Sequence, residues 1–175
     1  MISRVIGTLL LFALLWVVVA IYTSLVALQG HVDDAWQEIE QQLERRRDIV
    51  PDLLVTMRHL AATEWNTVEA VAFAHAIAVA AETPGERFQS DDELSAALEE
   101  LFATGEAHPE VASNQKFIQI RALFRDSDAK LASARDEYDR AVLKYNNGIQ
   151  TFPGNILAGV FQFKERSDLA TLLAQ

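Results

Sequence analysis

Cysteine is absent from the 175 residues of the chain. Without thiols there is no disulfide framework, no thiolate metal site, no catalytic thiol and no lipid-modified cysteine. Proline and glycine are also scarce, with four and seven residues respectively. No stretch alternates apolar and polar residues for long enough to predict a sheet, and the long segments have helical periodicity. The sequence therefore predicts an all-α fold.

The N-terminal part has almost no charged residues of either sign, and the rest of the chain is strongly acidic. All 25 acidic residues and all but one of the 15 basic residues lie after position 32, so this part carries a formal charge of −11. Such a surface argues against nucleic acid and against anionic lipid headgroups as partners. It offers a docking surface for basic protein segments instead.

One long apolar run, at residues 5–28, contains no charged side chain. A helix over this run spans about 36 Å, against a hydrocarbon core of about 30 Å. The run therefore predicts a transmembrane helix. A cleaved signal peptide is the alternative, with Arg4 as its positive region and Val18-Val19-Ala20 as the cleavage site. Because signal peptides have apolar regions of only about 7–15 residues, the length of the run favours an uncleaved anchor.

The run divides the chain into three predicted parts. Residues 1–4 form a short N-terminal segment, 5–28 the membrane span, and 29–175 one soluble domain built as an antiparallel bundle of long helices. Gly30 interrupts the pattern only weakly, so the span should continue into the first soluble helix. Arg4 lies on one flank and Asp33 and Asp34 on the other. The positive-inside rule then favours a domain outside the cytoplasm.

The first soluble helix is predicted at residues 29–50. Its inner face reads Val32, Trp36, Ile39, Leu43, Arg46 and Val50, which is the spacing of one side of a helix. Arg46 either packs its stem and extends its head to water, or forms a buried pair with a carboxylate, for which Asp128 is one candidate. Pro51 removes a backbone donor, which predicts a kink or a hairpin turn. Asp48 is then the expected cap of a second helix that ends near Ala81.

Two further helix starts are predicted from capping patterns. Ser90-Asp91-Asp92-Glu93 has the spacing of a capping box that begins a short helix, with an end near Gly105. Ser113 is the expected cap of a long helix that ends at Gly148. The inner residues of that helix are Phe117, Ile120, Phe124, Leu131, Ala134, Tyr138, Ala141 and Tyr145, with a gap at Ser127-Asp128.

The aromatic residues of this long helix are predicted to lie in the core rather than around a cofactor. Buried tyrosine hydroxyls at Tyr138 and Tyr145 need hydrogen-bond partners. The side-chain amides of Asn146 and Asn147, at the end of the helix, are the candidates.

Motifs for catalysis or metal binding are missing from the sequence. None of the four histidines follows a glutamate by three residues, as the helices of a di-iron bundle require. His-Glu-x-x-His, Gly-x-Ser-x-Gly and Gly-x-x-x-x-Gly-Lys do not occur. His75 is expected to be a core histidine with a hydrogen-bond partner. We therefore expect no cofactor, no metal and no enzymatic activity.

Several segments resemble the LemA family of bacterial membrane proteins. They are Tyr22-Thr23-Ser24-Leu25-Val26, Arg46-Arg47-Asp48-Ile49-Val50-Pro51-Asp52-Leu53-Leu54, Asn114-Gln115-Lys116-Phe117, Ala134-Arg135-Asp136-Glu137-Tyr138-Asp139-Arg140-Ala141-Val142-Leu143-Lys144-Tyr145-Asn146 and Phe152-Pro153. The family usually has asparagine where this chain has Thr23, Asp52 and Asp139. The resemblance implies one N-terminal span, in the inner membrane of a bacterial cell, and an all-helical domain. It implies no established activity.

The periodicity and the resemblance together select eight candidate structural or interaction residues. They are Arg46, Asp48, Pro51, Asp128, Tyr138, Tyr145, Asn146 and Pro153.

Two classes of function compete. One is a non-enzymatic scaffold or adaptor that acts through helix contacts at the membrane, and the other is a hydrolytic or metal-dependent enzyme inside the bundle. An accessory role in membrane stress or transport is a further alternative. The acidic surface and the alanine-rich second helix, which offers a seam for a homo-oligomer, favour the scaffold. The sequence identifies no particular protein partner.

Overall fold

The computed structural model describes residues 2–60 and 65–173. Within these ranges the chain is helical and contains no strand, which confirms the all-α fold. The helices of the described part are α1 (Ile2–Leu60), α2 (Trp65–Ala80), α3 (Pro84–Ala107), α4 (Pro109–Ala112), α5 (Gln115–Gln150), α6 (Gly154–Phe161) and α7 (Leu169–Leu173).

The first helix continues through Pro51 to Leu60. The predicted kink or hairpin does not end the helix there, and Asp48 lies inside α1 with an exposed side chain rather than at a cap. The second helix is predicted to extend from this point to Ala81. The predicted start is wrong, because α2 begins at Trp65. A hydrogen bond from another helix replaces the one that Pro51 removes, as described below.

The third helix begins before the predicted capping box. Thr83 is the N-cap: its hydroxyl accepts from the N–H of Glu86 at 3.2 Å, and the Glu86 carboxylate accepts from the N–H of Thr83 at 3.0 Å. These backbone bonds lower the pKa of Glu86. Pro84 occupies the first turn, where its missing N–H has no cost. The box predicted at Ser90 is therefore wrong, and Ser90 lies within α3.

The long helix α5 differs from the prediction at both ends. Asn114, not Ser113, caps its start, because its side-chain oxygen accepts from the N–H groups of Lys116 and Phe117 at 2.9 and 3.1 Å. The helix continues past Gly148 to Gln150. A Cβ on Gly148 would lie 3.0 Å from Leu28. This glycine therefore permits a close approach of two helices instead of ending one.

The chain divides into two compact units. The first unit comprises Met1–Gln37 and Asp136–Asp168, and the second comprises Glu38–Arg135 and Leu169–Gln175. Apolar residues of α1, α5 and α6 form the core of the first unit. They are Leu25, Val32, Ala35, Tyr138, Ala141, Val142, Tyr145, Ile149, Leu157 and Ala158.

The second unit has a bundle core to which five helices contribute. Its buried residues come from α1 (Val50, Leu53, Met57), α2 (Val68, Val71, Ala74, Ala78), α3 (Leu94, Leu98, Leu101, Phe102), α4 (Val111) and α5 (Phe117, Ile120, Phe124). α2 and α3 pack on each other and are joined by residues 81–83 only. A connection this short makes them antiparallel neighbours.

The N-terminal part of α1 is apolar and uncovered. From Ile6 to Val19 its large side chains, apart from the partly buried Val18, are 45–74% exposed, and α1 is long and apolar enough to cross a membrane by length and composition. A helix in the core of a soluble domain would bury these side chains. The first fully buried residue among the described side chains of α1 is Leu25, which is 3% exposed.

Candidate functional site

Arg46 is buried in the second unit with a side chain 2% exposed. Its Nη1 donates to Asp91 Oδ2 at 2.8 Å, and its Nη2 donates to Ser95 Oγ at 2.6 Å. Nη2 also lies 3.4 Å from Asp128 Oδ1. The interpretation in which the guanidinium of Arg46 extends to water is therefore wrong. The alternative, a buried pair with a carboxylate, is what the structure contains. The sequence predicted Asp128 as a candidate partner but missed Asp91.

Asp91 lies between two guanidinium groups. Arg135 Nη2 is 3.7 Å from Asp91 and 3.3 Å from Asp92. Burial raises the pKa of the Asp91 carboxyl, and the positive charges of Arg46 and Arg135 oppose this rise. Asp91 was not predicted as a partner, because the capping pattern at Ser90 placed it at a helix start, whereas the true cap, Thr83, lies seven positions before Ser90.

The guanidinium groups of both arginines also lie over aromatic rings. Arg46 Cζ is 4.8 Å from the ring centre of Phe124, and Arg135 Cζ is 5.0 Å from that of Phe88. The gap in the apolar stripe of α5, at Ser127 and Asp128, is where Arg46 approaches this helix. The interrupted pattern therefore marked the position of a polar contact inside the bundle.

His75 supplies the hydrogen bond that Pro51 removes. In a helix the N–H of residue 51 would bond to the carbonyl of residue 47, and proline has no N–H. His75 Nε2 lies 3.1 Å from Arg47 O. Because a carbonyl only accepts, Nε2 must carry the hydrogen. Arg47 Nη1 in turn donates to Ala78 O at 3.0 Å, so the region of α1 around Pro51 is tied to α2 by two polar contacts.

Tyr138 and Tyr145 hold a non-helical stretch at residues 162–168, here called the C-terminal segment. The hydroxyl of Tyr138 donates to Ser167 O at 3.0 Å, and that of Tyr145 donates to Lys164 O at 2.9 Å. The prediction that the amides of Asn146 and Asn147 are the partners of these hydroxyls is therefore wrong. Backbone outside a helix has no helical donors for its carbonyls, and the tyrosines supply them. Burial raises the pKa of both tyrosines.

Asn146 binds the C-terminal segment with both ends of its amide. Its Nδ2 donates to Arg166 O at 2.8 Å, and its Oδ1 accepts from the N–H of Arg166 at 3.0 Å. The Arg166 side chain forms an ion pair with Asp33 at 3.0 Å. Gln150 Nε2 donates to Glu165 at 2.8 Å. The predicted residues Tyr138, Tyr145 and Asn146 thus act together, as a set that fixes this segment.

Pro153 lies between α5 and α6, after a cis peptide bond from Phe152. The turn brings the start of α6 close to the end of α5. A Cβ on Gly154 would lie 2.1 Å from the carbonyl oxygen of Gly148, so only glycine fits at this crossing. Phe152 itself is 79% exposed.

A groove of about 610 Å³ lies beside the C-terminal segment in the first unit. Tyr22, Val26 and Gln29 of α1, Tyr145 of α5 and residues 161–166 line it. Within residues 2–60 and 65–173, no group of three His, Cys, Asp or Glu side chains could hold a metal ion.

The outward face of α2 is apolar. Phe73 is 71% exposed, Val79 is 60% exposed and Ile77 is 38% exposed. Glu69 is the only acidic or basic residue in the whole of α2, apart from His75. Val79 lies six positions after Phe73 and therefore about 120° from it around the helix.

Comparison with known proteins agrees with the resemblance seen in the sequence. The model of the LemA family matches residues 35–174, which is most of the chain. No curated protein matches it. The matched region includes the buried Arg46 pair, the His75 contact at Pro51 and the residues that hold the C-terminal segment. The chain therefore belongs to the LemA family.

Proposed function

We propose that the chain is a membrane-anchored, non-enzymatic scaffold or adaptor, and that it binds another protein helix through the exposed face of α2. The observation that carries this proposal is the composition of that face. Exposed positions recur at the spacing of one side of a helix. The first turn contributes Asn66 and Glu69, and from Ala70 onward these positions are apolar or small. They are Ala70, Phe73, Ala76, Ile77 and Ala80.

Two physical arguments support a helix as the occupant. A solvent-facing helix normally presents charged or polar residues, whereas this one exposes a phenylalanine, an isoleucine and a valine. Apolar anchors separated by three, four and seven positions are those that helix-in-groove recognition uses. The alanines between them permit close approach of a second backbone. A second copy of this chain, forming a homo-oligomer, is one such partner.

The uncovered apolar part of α1 supports anchoring in a membrane. A bilayer would cover the side chains from Ile6 to Val19, whose exposure in water is unfavourable. For orientation we propose that the soluble part lies outside the cytoplasm, since Arg4 is the nearest basic side chain and lies before the span. Protease added outside intact cells should then digest the domain. If the domain is digested only after the membrane is opened, the domain lies on the cytoplasmic side.

Crosslinking in native membranes tests the scaffold. The full chain is compared with Phe73→Glu and with a matched control, Leu123→Glu, which places the same charge at an exposed apolar position of α5 in the same unit. We expect the wild-type chain and the control to give the same crosslinked species by mass spectrometry. In Phe73→Glu the yield of these species should fall roughly tenfold, which corresponds to a loss of about 1.4 kcal/mol in binding free energy.

Two results would remove the scaffold proposal. One is an unchanged set of crosslinked species in Phe73→Glu. The other is capture of the chain only as a monomer, while the purified full chain carries stoichiometric metal or turns over a substrate. Crosslinks between two copies of the chain would identify a homo-oligomer as the assembly.

A further inference from the structure

A second exposed apolar surface lies in the first unit, on α6. Phe152 lies in the turn that precedes α6, and Ile156 and Val160, four residues apart, share one side of the helix. They are 79%, 58% and 69% exposed. Leu157 and Ala158, on the other side, are buried. One side of the helix is therefore buried and the other exposed, although the sequence is apolar on both sides.

The surroundings of this face are unusually free of charge. No acidic or basic residue occurs between Lys144 and Lys164. In a chain whose soluble part carries 25 acidic side chains, such an interval is exceptional. A face that met water would have no need of it, because charged positions cost nothing there. The interval is what a hydrocarbon environment requires.

The contacts of α6 place it beside the end of the apolar part of α1. The ring of Phe161 lies 4.8 Å from that of Tyr22, and the ring of Phe163 lies 6.0 Å from it. At the other end of α6, a Cβ on Gly154 would lie 3.8 Å from Leu25. Both ends of α6 thus contact one short stretch of α1.

The length of a membrane span then fixes the depth of α6. At about 1.5 Å per residue, roughly 20 residues are needed to cross a hydrocarbon core of about 30 Å. A span that begins at Ile6, the first apolar residue of α1 whose side-chain exposure the structure describes, reaches the far boundary of the core near Leu25. That boundary is the level of α6. Tyr22 is also a residue type that collects at membrane interfaces.

We infer that α6 is an interfacial membrane helix: the face formed by Phe152, Ile156 and Val160 lies in the bilayer, at the boundary of the hydrocarbon core, next to the point where α1 leaves it. The occupant of this face is lipid. The acidic charge of the soluble part argues against recognition of anionic headgroups, so a neutral bilayer suffices. α1 and α6 then form two contacts with the same leaflet, which restrict how the first unit tilts. This inference rests on the proposed membrane anchoring of α1.

Because the chain has no cysteine, single cysteines report on chosen positions without background labelling. The full chain is reconstituted in phosphatidylcholine vesicles with a fluorophore on Val160→Cys. Leu14→Cys, within the apolar run, is the deep reference. Lys130→Cys, on an exposed side chain of the second unit, is the aqueous reference. Quenching is measured with nitroxides placed near the headgroup or deep in the acyl chains.

The expected result is that shallow nitroxides quench the Val160→Cys label roughly threefold more than they quench the Lys130→Cys label, since interfacial helices lie about 5–10 Å into the boundary region. Leu14→Cys should respond most strongly to deep nitroxides. If Leu14→Cys is quenched while Val160→Cys behaves like Lys130→Cys, the anchor stands and the inference about α6 is wrong. If Leu14→Cys is not quenched either, the membrane anchoring is wrong and the inference falls with it.

Discussion

The imidazole Nε2 of His75 lies 3.1 Å from the carbonyl oxygen of Arg47, the acceptor that Pro51 leaves without its helical donor. The contact predicts that the effect of removing His75 depends on the residue at position 51. His75→Leu should lower the free energy of unfolding by about 1–3 kcal/mol, since it leaves a carbonyl without a partner. In a Pro51→Ala chain the N–H of the alanine can bond to Arg47, so the same substitution should cost much less. Urea unfolding of the full chain in detergent, followed by circular dichroism, measures the four chains. Equal costs in both backgrounds would contradict the assigned role of His75.

Arg46 and its neighbour Arg45 provide a second comparison. Arg46→Ala leaves Asp91 buried without its closest cation, and we expect the free energy of unfolding to fall by about 3 kcal/mol. Arg45 is exposed, so Arg45→Ala should change it by less than about 0.5 kcal/mol. Removing both charges, with Arg46→Met and Asp91→Leu, should restore part of the loss, because no buried carboxylate is then left without its cation, and Asp128 is exposed to water. Equal urea midpoints for Arg46→Ala and Arg45→Ala would show that the buried pair does not stabilise the domain.

Asn146 is expected to protect the C-terminal segment from proteolysis. Lys164 and Arg166 are trypsin sites within that segment, and Asn146 forms two hydrogen bonds with Arg166. Asn146→Ala removes both, at about 1 kcal/mol each, which should raise the rate of cleavage at these sites by roughly tenfold or more. Asn147→Ala, at the exposed neighbouring position, is the control. Cleavage at the same rate in the two variants would mean that other contacts hold the segment.

The raised pKa values of Tyr138 and Tyr145 predict an alkaline loss of stability. In the unfolded chain a tyrosine ionises with an ordinary pKa of about 10, and in the folded chain burial raises this pKa. Above about pH 10 the unfolded state therefore binds fewer protons, and the free energy of unfolding falls as the pH rises. Below that range both states keep their phenol protons, and these tyrosines contribute no slope.

The double variant Tyr138→Phe with Tyr145→Phe tests this titration. It should be less stable than the wild-type chain at pH 8, by about 1–2 kcal/mol for two lost hydrogen bonds, and its stability should fall less steeply above pH 10. Tyr22→Phe, which keeps both bonds to the C-terminal segment, is the control. The same alkaline slope in the wild-type chain and the double variant would argue against the two buried hydroxyls as its source.

Helical periodicity was sufficient to predict the fold and the inner faces of the long helices. Every residue of the predicted α5 stripe is buried, from Phe117 to Tyr145, because the 3.6-residue repeat is a property of the sequence alone. Helix ends were predicted less well. Thr83 and Ser90 both begin a pattern with a glutamate three residues later. Proline and glycine, here Pro84 and Gly85, are common in loops, whereas Pro84 occupies the first turn of α3.

The polar contacts were predictable only where a residue broke a pattern. Arg46 stood out because it was the charged position on the apolar face of the first helix. Asp128 stood out because it fell in the gap of the apolar stripe of α5. Asp91, His75 and Ser167 had no such feature. Their partners are 29–45 residues distant or belong to the backbone, and tertiary packing decides which of these groups meet.

The most direct test of the adaptor proposal is site-specific photocrosslinking in native membranes. A photoreactive amino acid is placed at Phe73 of the full chain, and in a separate chain at Leu123, which is also exposed and apolar. The proposal predicts that illumination gives one discrete adduct from position 73, either with a second copy of the chain or with one membrane protein, and none of that mass from position 123. No adduct at position 73, or the same adducts from both positions, would contradict it.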